Sequence, residues 1–210
     1  NGQSSTPKQV GEFYNATTDK FLKVYGQVIQ AFRTTDVHKL LDYEISAMQL
    51  QKGMRVLDAG CGVCGPAIYF AQHAGVEVDA VTISSVQVAK ATKQIAAANL
   101  TQQVRVHHGD YHQLASLLPT NSFDVVYFLE SFGHSNNHAL ALQSAWDMLK
   151  PGGRLYIKDL FQREALLPEH EAKIAREVKK INEGYCYNIA NLYHVLHTIR
   201  KMGFVLAHLK

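Results

Sequence analysis

The 210-residue sequence predicts a doubly wound α/β fold, in which a mainly parallel sheet is covered by helices on both faces. From residue 51 onward, short runs rich in β-branched residues alternate with helical stretches. This alternation specifies right-handed βαβ units, because parallel neighbouring strands need a crossover connection. The length suits one domain with a sizeable core and is short for two.

The first 50 residues show helical patterns and no strand. After a polar tail at 1–9, apolar residues recur at helical spacing between Val10 and Leu50. Thr34-Thr35-Asp36 is typical of a helix stop followed by an N-cap. We therefore expect an N-terminal helical cap over residues 1–50, built from two or three helices.

The alternating region predicts six strands with helices between them. The strands are expected at 55–58, 77–82, 104–108, 124–128, 154–158 and 204–209, and the helices at roughly 65–73, 86–99, 138–149 and 190–202. Residues 51–160 would form a Rossmann-like binding core, and 161–203 a helical, aromatic lid insertion without a strand, with a charged helix from Glu169 to Asn182. Residues 204–210 would return as the sixth strand of the same domain. No seventh strand is visible after the sixth. The edge of the sheet is therefore either completed by further sequence or covered in another way, for example by a second copy of the chain in a homodimer.

Composition and charge exclude several classes of function. At 47% hydrophobic and 19% charged residues, the composition is that of a soluble globular protein. The net charge of +3 is spread over scattered lysines and arginines, which argues against nucleic acid as a partner. No apolar run reaches the ~20 residues of a membrane span. Three cysteines form no paired framework and no secretory signal is visible, so a cytoplasmic location is expected.

A glycine loop follows the first predicted strand. That strand ends at Asp58 and runs into Gly60-x-Gly62-x-x-Gly65. Glycine supplies the positive φ of a tight turn and lets a ligand approach the N-terminus of the next helix. In open α/β sheets this place lies at the carboxyl edge, where ligands bind. The loop alone does not identify its ligand, and a purely structural turn is also consistent with it.

Nicotinamide-dependent oxidoreduction is an alternative for the same loop. A dinucleotide site needs an acid about 20 residues beyond the loop to hold the ribose. The second strand instead ends in Val81-Thr82-Ile83-Ser84, so Thr82 stands where the acid is expected. Hydride transfer is therefore the weaker interpretation.

Cysteine and histidine spacing could indicate a metal or a redox site. Cys61 and Cys64 have dithiol spacing but lie inside the glycine loop, and no second pair exists. His107, His108 and His112 are close in sequence, yet the first two are strand neighbours and point to opposite faces. We predict no metal site.

Four segments carry a more specific pattern. They are Val56-Leu57-Asp58-Ala59-Gly60-Cys61-Gly62, then Val81-Thr82-Ile83-Ser84-Ser85-Val86-Gln87, then Gly109-Asp110-Tyr111, and finally Phe123-Asp124-Val125-Val126 leading to Glu130-Ser131-Phe132-Gly133-His134. Leu149-Lys150-Pro151-Gly152-Gly153 completes the set. Together, over about residues 50–160, they resemble class I S-adenosylmethionine-dependent methyltransferases of the small-molecule branch. That branch includes sterol and tocopherol methyltransferases, sugar O-methyltransferases of natural-product pathways and cyclopropane-fatty-acid synthases.

The resemblance implies a bound S-adenosylmethionine. Asp58 would hold the ammonium group of the cofactor, and Thr82 with Gln87 the ribose hydroxyls. Asp110 would accept a hydrogen bond from the adenine amino group. An ordinary strand end and polar first turn would also account for Thr82 and Gln87. The cofactor-binding residues implied are Asp58, Gly60, Cys61, Gly62, Thr82, Ile83, Gln87, Gly109, Asp110, Tyr111 and Leu129.

Glu130 and His134 are the candidate catalytic residues. They follow the fourth strand at the same edge as the glycine loop. A hydroxyl acceptor needs a general base, an amine only its lone pair, and an alkene carbon needs cation stabilisation and a later proton acceptor. Either residue can serve as that base, hold the cofactor or shape the pocket floor.

The acceptor pocket is expected from residues outside the matching segments. Aromatic rings there suit a lid that excludes water, although about half of them should belong to the core. The implied acceptor is a small, partly apolar metabolite, methylated on carbon or oxygen, with nitrogen next. A module that binds the cofactor without turnover is the non-catalytic alternative. The candidate acceptor-binding residues are Tyr14, Tyr25, Phe161, Tyr185, Tyr187 and Tyr193.

Overall fold

A computed structural model describes residues 4–28 and 36–210 of the chain. It confirms the mainly parallel central sheet, which has five strands in the order β3-β2-β1-β4-β5 instead of the six expected. The first five predicted strands are all present, and their ends shift by up to five residues. The strands are β1 (Arg55–Ala59), β2 (Glu77–Thr82), β3 (Val104–His108), β4 (Phe123–Leu129) and β5 (Leu149–Lys158).

Helices cover both faces of this sheet, as predicted. Two short 3₁₀ helices, Tyr111–Ser116 and Phe132–His134, follow β3 and β4. The α-helices are α1 (Pro7–Tyr25), α2 (Val37–Met48), α3 (Gly65–Ala74), α4 (Ser85–Ala97), α5 (His138–Met148), α6 (Pro168–Tyr185) and α7 (Leu192–Met202).

The core consists of two apolar layers separated by the sheet. Successive strand residues point to opposite faces, so Val56 packs with α2, α3 and α4, whereas Leu57 packs with α5 and α7. The side chains of the central strands β1 and β4 are almost all buried. This two-sided burial is typical of a parallel sheet and holds its carboxyl edge rigid.

Helix α1 lies across the carboxyl end of β2 and packs on α4. A capping box formed by Thr6 and Gln9 begins it. The side-chain oxygen of Asn15 accepts from Ser84 Oγ at 2.7 Å, at the N-terminus of α4. Helix α1, the first helix of the predicted cap, thus lies over the sheet edge, with Gly11 against Ile83 O. Asp36 is the N-cap of α2, as predicted, while Thr34 and Thr35 of the same signal lie outside the described residues.

The predicted sixth strand at 204–209 is wrong. Residues 204–210 pair with no described strand. The Phe204 ring packs on Trp146 with a centroid distance of 4.7 Å, while Val205 is 90% exposed. The apolar residues that predicted a strand therefore form no ladder; Phe204 instead anchors the end of α7 to Trp146 of α5.

The insertion after β5 does contain strands, contrary to the prediction. β6 (Phe161–Gln162) pairs in parallel with β7 (Ala190–Asn191). Strands of two residues carry too little sequence pattern to be recognised. The predicted charged helix is present as α6, and none of its residues is fully buried. None of the helices in the described ranges is both long and apolar enough to cross a bilayer.

Candidate cofactor and active site

A cavity opens at the carboxyl edge of the sheet. Every residue predicted to bind the cofactor lines it, together with both candidate catalytic residues and Tyr14. The lining residues are Pro7, Val10, Tyr14, Gln27, Asp58, Gly60, Cys61, Gly62, Val63, Pro66, Thr82, Ile83, Gln87, Gly109, Asp110, Tyr111, His112, Leu129, Glu130, Ser131 and His134.

The glycine loop forms the floor of the cavity. Gly60 has φ +97°, and a Cβ there would overlap the Ser131 side chain. The backbone N–H groups of Gly60 and Cys61 both donate to Val81 O at 2.9 Å, which fixes the loop to the end of β2. The predicted need for glycine is confirmed at this position, because both the positive φ and the close approach exclude a side chain.

Asp58 is a buried carboxyl group at the base of the cavity. It is 1% exposed, and its Oδ1 has no hydrogen-bond partner among the described residues. Burial raises the pKa of Asp58 to about 8; the charge of Glu44 adds to the rise, and the nearby Tyr127 hydroxyl opposes it. A buried carboxylate oxygen that lacks a donor fits a cationic ligand such as an ammonium group.

Thr82 and Gln87 meet at the end of β2. The Thr82 hydroxyl donates to Gln87 Oε1 at 2.7 Å, and both side chains are buried. Ser84 N donates to Thr82 Oγ1 at 3.2 Å. This mutual hydrogen bond fixes two polar side chains at the wall where the ribose is expected.

Asp110 follows β3 and begins a 3₁₀ helix. Its Oδ1 accepts from His112 N at 2.9 Å and from His112 Nδ1 at 2.6 Å. Burial opposes ionisation, yet the hydrogen bonds from His112 prevail and lower the pKa of Asp110. The carboxylate is therefore charged at neutral pH and can accept a ligand N–H.

Glu130 comes directly after β4 in an unusual backbone conformation. Its φ is +54°, which is costly for a residue with a side chain and is found mainly where the surrounding structure enforces it. Glu130 N donates to Lys158 O at 2.7 Å, and Lys158 Nζ lies 3.4 Å from Glu130 Oε1. The Tyr187 hydroxyl donates to Glu130 O at 3.0 Å. These contacts aim the carboxylate at the cavity with a cation beside it.

The hydrogen bonds of His134 fix its tautomer. Nδ1 lies 3.0 Å from Cys186 O, and a carbonyl can only accept, so Nδ1 carries the proton. Nε2 then accepts from the Tyr14 hydroxyl at 2.7 Å. Burial lowers the pKa of His134 to about 4, which the bond to Cys186 partly opposes. His134 is therefore a neutral acceptor, and the Tyr14–His134 pair can receive a proton at the cavity wall.

The other predicted acceptor-binding residues do not line the cavity. Tyr187 is the nearest, with its ring centroid 4.2 Å from that of His134. Phe161 packs against Phe132 at 6.2 Å, and Tyr25 stacks on Phe21 within α1. Tyr185 and Tyr193 are 40% and 52% exposed. Their role in acceptor binding stays a prediction.

Several residues at the site were not predicted as functional. Asp159, just after β5, accepts from Gly133 N at 2.8 Å and Leu160 N at 2.7 Å, and burial raises its pKa to about 6. The Ser131 hydroxyl donates to Ala59 O at 2.5 Å and links two strand ends. The sequence could have indicated Asp159 as a site residue, because it directly follows the parallel strand β5. Pro7, Val10 and Gln27 also line the cavity, but no motif in the sequence marks them.

The cysteine and histidine groups show no metal geometry. Within residues 4–28 and 36–210, no cluster of three or more histidine, cysteine or acidic side chains is arranged to hold an ion. Cys61 and Cys64 are buried free thiols, and burial raises the pKa of Cys61. His107 and His108 bond to different partners, Asp79 Oδ1 and Ile83 O.

Comparison with known proteins gives one family for nearly the whole chain. The family described as mycolic acid cyclopropane synthetase matches residues 17–210. The 27-O-demethylrifamycin SV methyltransferase of Amycolatopsis mediterranei is 31% identical over 83% of this chain and 67% of its own length. A sterol 24-C-methyltransferase of Neurospora crassa is 26% identical over 93% of this chain and 53% of its own length. The chain thus spans between about half and two thirds of these curated relatives.

A solved structure shares the fold of this chain. The crystal structure of the (4+2)-cyclase SpnF superposes with a TM-score of 0.81 at 25% identity, covering 98% of this chain and 74% of that one. The family match therefore agrees with the motifs of the sequence and with the cavity that the motif residues line. The chain belongs to the mycolic acid cyclopropane synthetase family, within the class I S-adenosylmethionine-dependent methyltransferases of small molecules.

Proposed function

We propose that this chain binds S-adenosylmethionine in the cavity and transfers its methyl group to a small, partly apolar metabolite. The observation that carries the proposal is the buried Asp58 oxygen without a hydrogen-bond donor among the described residues, at the base of a cavity lined by the whole predicted cofactor set. Carbon or oxygen methylation is favoured, since the two curated relatives are named as a sterol C-methyltransferase and a rifamycin methyltransferase.

The donor set suits the parts of this cofactor. Asp58 would bind the ammonium group, which replaces the missing donor and ionises the carboxyl. Thr82 and Gln87 would face the ribose hydroxyls, and Asp110 the adenine amino group. The backbone at Gly60 and Gly62 would lie against the methionine portion, and the overlap of a Gly60 Cβ with Ser131 keeps that stretch free of a side chain.

When bound, the cofactor supplies an electrophilic methyl group on a sulfonium. The chain contributes position and exclusion of water, which account for much of the rate of an in-line displacement. Helix α1 closes the cavity with Pro7, Val10 and Tyr14. The Glu130 carboxylate borders the same space and can orient an acceptor group or balance positive charge there.

A hydroxyl acceptor must also lose a proton. The Tyr14 hydroxyl donates to the neutral Nε2 of His134, so a proton taken up by the Tyr14 oxygen can pass on to that nitrogen. The N–H bond to Cys186 O holds the imidazole in the accepting tautomer. The pair can thus serve as the general base for O-methylation.

Cyclisation is a second candidate function, favoured by the likeness to a protein named as a (4+2)-cyclase. A 4+2 cyclisation within one molecule forms a ring without adding atoms, so its product has the mass of its substrate. Methyl transfer adds one carbon. Hydride transfer is not favoured, because Thr82 occupies the place of the ribose-binding acid and the curated relatives are named as methyltransferases.

The proposal also covers location and assembly. The three cysteines, Cys61, Cys64 and Cys186, are free thiols, which suits a reducing cytoplasm. Scattered basic residues favour a metabolite over nucleic acid as the partner. A homodimer is proposed as one arrangement, and measurement of the mass of the full chain in solution tests it.

The test of the function uses the full chain with methyl-labelled cofactor and a broad metabolite extract. The proposal expects saturable cofactor binding and label in a low-mass product. Binding with no labelled product, but with a new isomer of an extract component, would support cyclisation. A folded chain that binds no cofactor would contradict methyl transfer, and one that also produces no new isomer would contradict both candidates.

Substitution of Glu130 by glutamine separates its two candidate roles. Because glutamine keeps the shape and removes the charge, we expect the cofactor dissociation constant to change less than about threefold. Turnover of the labelled acceptor should fall about 100-fold or more if the carboxylate acts on the acceptor. Calorimetric titration and the label assay measure the two quantities; a large loss of binding would instead place Glu130 among the cofactor ligands.

A further inference from the structure

A chain of three side chains runs from the cavity wall into the interior. His112 Nδ1 lies 2.6 Å from Asp110 Oδ1, and His112 Nε2 lies 2.7 Å from Ser135 Oγ. Ser135 is fully buried and His112 is 7% exposed. The arrangement joins the end of β3 to the turn that carries His134.

The hydrogen-bond partners of His112 and Ser135 determine where the protons lie in this series. A carboxylate only accepts, so His112 Nδ1 donates to Asp110. In a neutral imidazole Nε2 is then an acceptor, so the Ser135 hydroxyl donates to His112 Nε2 while its oxygen accepts from Asn137 N at 3.1 Å. The imidazole is held at both nitrogens and cannot turn without losing a hydrogen bond in a buried place.

The order Asp–His–Ser is that of a hydrolytic triad, but the geometry here does not serve nucleophilic attack. The Ser135 side chain has no exposed surface. It is Asp110 and His112 that line the cavity. The series of hydrogen bonds from Ser135 through His112 therefore acts on Asp110, the member that lies at the cavity.

Both hydrogen bonds that the described residues give to Asp110 end on Oδ1, from the backbone and from the ring of His112. The second carboxylate oxygen, Oδ2, is thereby directed away from His112. A substitution of His112 retains the backbone bond and removes only the imidazole, so it isolates the contribution of the ring.

We propose that His112, held by Ser135, is a positioning residue that makes Asp110 specific for the amino group of adenine. This inference rests on the proposed cofactor site. A fixed, ionised Asp110 accepts from an exocyclic amino group and repels the carbonyl oxygen that hypoxanthine has in the same place. A carboxylate free to rotate would lose this discrimination, while the rest of the site would still bind.

The experiment compares two stable ligands by calorimetric titration of the full chain. S-adenosylhomocysteine carries the amino group, and S-inosylhomocysteine carries a carbonyl instead. We expect wild type to prefer the adenosine form by about tenfold or more, the effect of one hydrogen bond to a charged group. In His112→Phe, which retains an aromatic ring, the preference should fall to within about threefold. The inosine form should bind the variant at least as tightly as wild type, because the repulsion of its carbonyl oxygen is relieved, while the adenosine form should bind the variant more weakly.

His107→Phe is the matched control. It removes a His–Asp hydrogen bond of similar length, Nε2 to Asp79 Oδ1 at 2.9 Å, away from the cavity. This variant should keep the wild-type preference. A purely structural role for His112 would lower the thermal midpoint and leave the preference intact, and that result would overturn the inference.

Ser135→Ala covers the case in which His112→Phe does not fold. It leaves Asp110 and His112 in place and should reduce the preference several-fold. In ¹⁵N-labelled wild type, the His112 Nδ1–H should give a strongly downfield proton resonance that Asp110→Asn removes; its absence would contradict the geometry. If wild type binds neither ligand, the proposed cofactor site fails as well, whereas binding with an unchanged preference in the variants overturns the positioning role alone.

Discussion

Substitution of Asp58 by alanine is expected to abolish measurable binding of S-adenosylmethionine, with a dissociation constant raised by 100-fold or more. The side chain is buried, and one of its oxygens has no donor among the described residues. Loss of a buried, charge-assisted hydrogen bond costs about 3 kcal/mol or more, which corresponds to a factor of over 100 in affinity. The protein itself should fold, because the carboxyl is an unfavourable group in the empty cavity.

Calorimetric titration and thermal unfolding test this expectation together. The alanine variant should unfold at a temperature equal to or above that of the empty wild type, yet show no shift when cofactor is added. Asp79→Ala is the contrasting control. Asp79 is also buried, but it pairs with Arg55 at 2.9 Å and lies outside the cavity lining. Its loss should destabilise the fold and leave any remaining folded protein able to bind.

Removal of the Tyr14 hydroxyl or the His134 ring is expected to lower kcat for a hydroxyl acceptor by about 100-fold each. The two groups share one hydrogen bond of 2.7 Å. Since each needs the other to receive the proton, Tyr14→Phe, His134→Gln and the double variant should lose about the same amount. Tyr69→Phe is the matched control: it removes a tyrosine hydrogen bond of similar length, to Asp42 Oδ1 at 2.8 Å, outside the cavity lining, and should retain the wild-type rate.

The pH profile gives an independent check on this pair. Burial lowers the pKa of His134 to about 4, and the base must be neutral to accept a proton. The acidic limb of kcat against pH should therefore lie near pH 4 rather than near the 6.5 of an ordinary histidine. Additive losses in the double variant, or a limb near pH 6.5, would contradict a shared proton-accepting role.

Much of the fold and site was predictable because parallel sheets place the ends of successive strands at one edge. The strand–helix alternation indicated β1 to β5, and the motif residues that follow them had to converge there. Asp58, Thr82 and Asp110 each end or follow a strand, so their meeting in one cavity required only the topology.

The parts that escaped prediction depend on contacts between distant segments. Residues 204–209 have the alternating pattern of a strand, but Phe204 packs on Trp146 and the segment pairs with no described strand. The two-residue strands of the insertion lack any pattern of their own. Neither the bond of His134 to Cys186 nor that of Ser135 to His112 has a local signature, because the partners are 52 and 23 residues apart.

Proton release on cofactor binding tests the central assignment most directly. Without ligand, burial raises the pKa of Asp58 to about 8, above the ordinary value of 3.8 for an aspartate. The folded chain therefore holds an extra proton between these values, and its stability falls as pH rises through that window. A bound ammonium group favours the ionised form of the Asp58 carboxyl, so binding releases this proton.

Calorimetric titration with cofactor at pH 6.5, in buffers of different ionisation enthalpy, counts the protons exchanged. At this pH the amino group of the ligand is already charged, so it contributes none. If Asp58 binds the ammonium, close to one proton should be released for each cofactor bound. Tight binding with no proton release would show that the cofactor amino group is held elsewhere and would contradict the account.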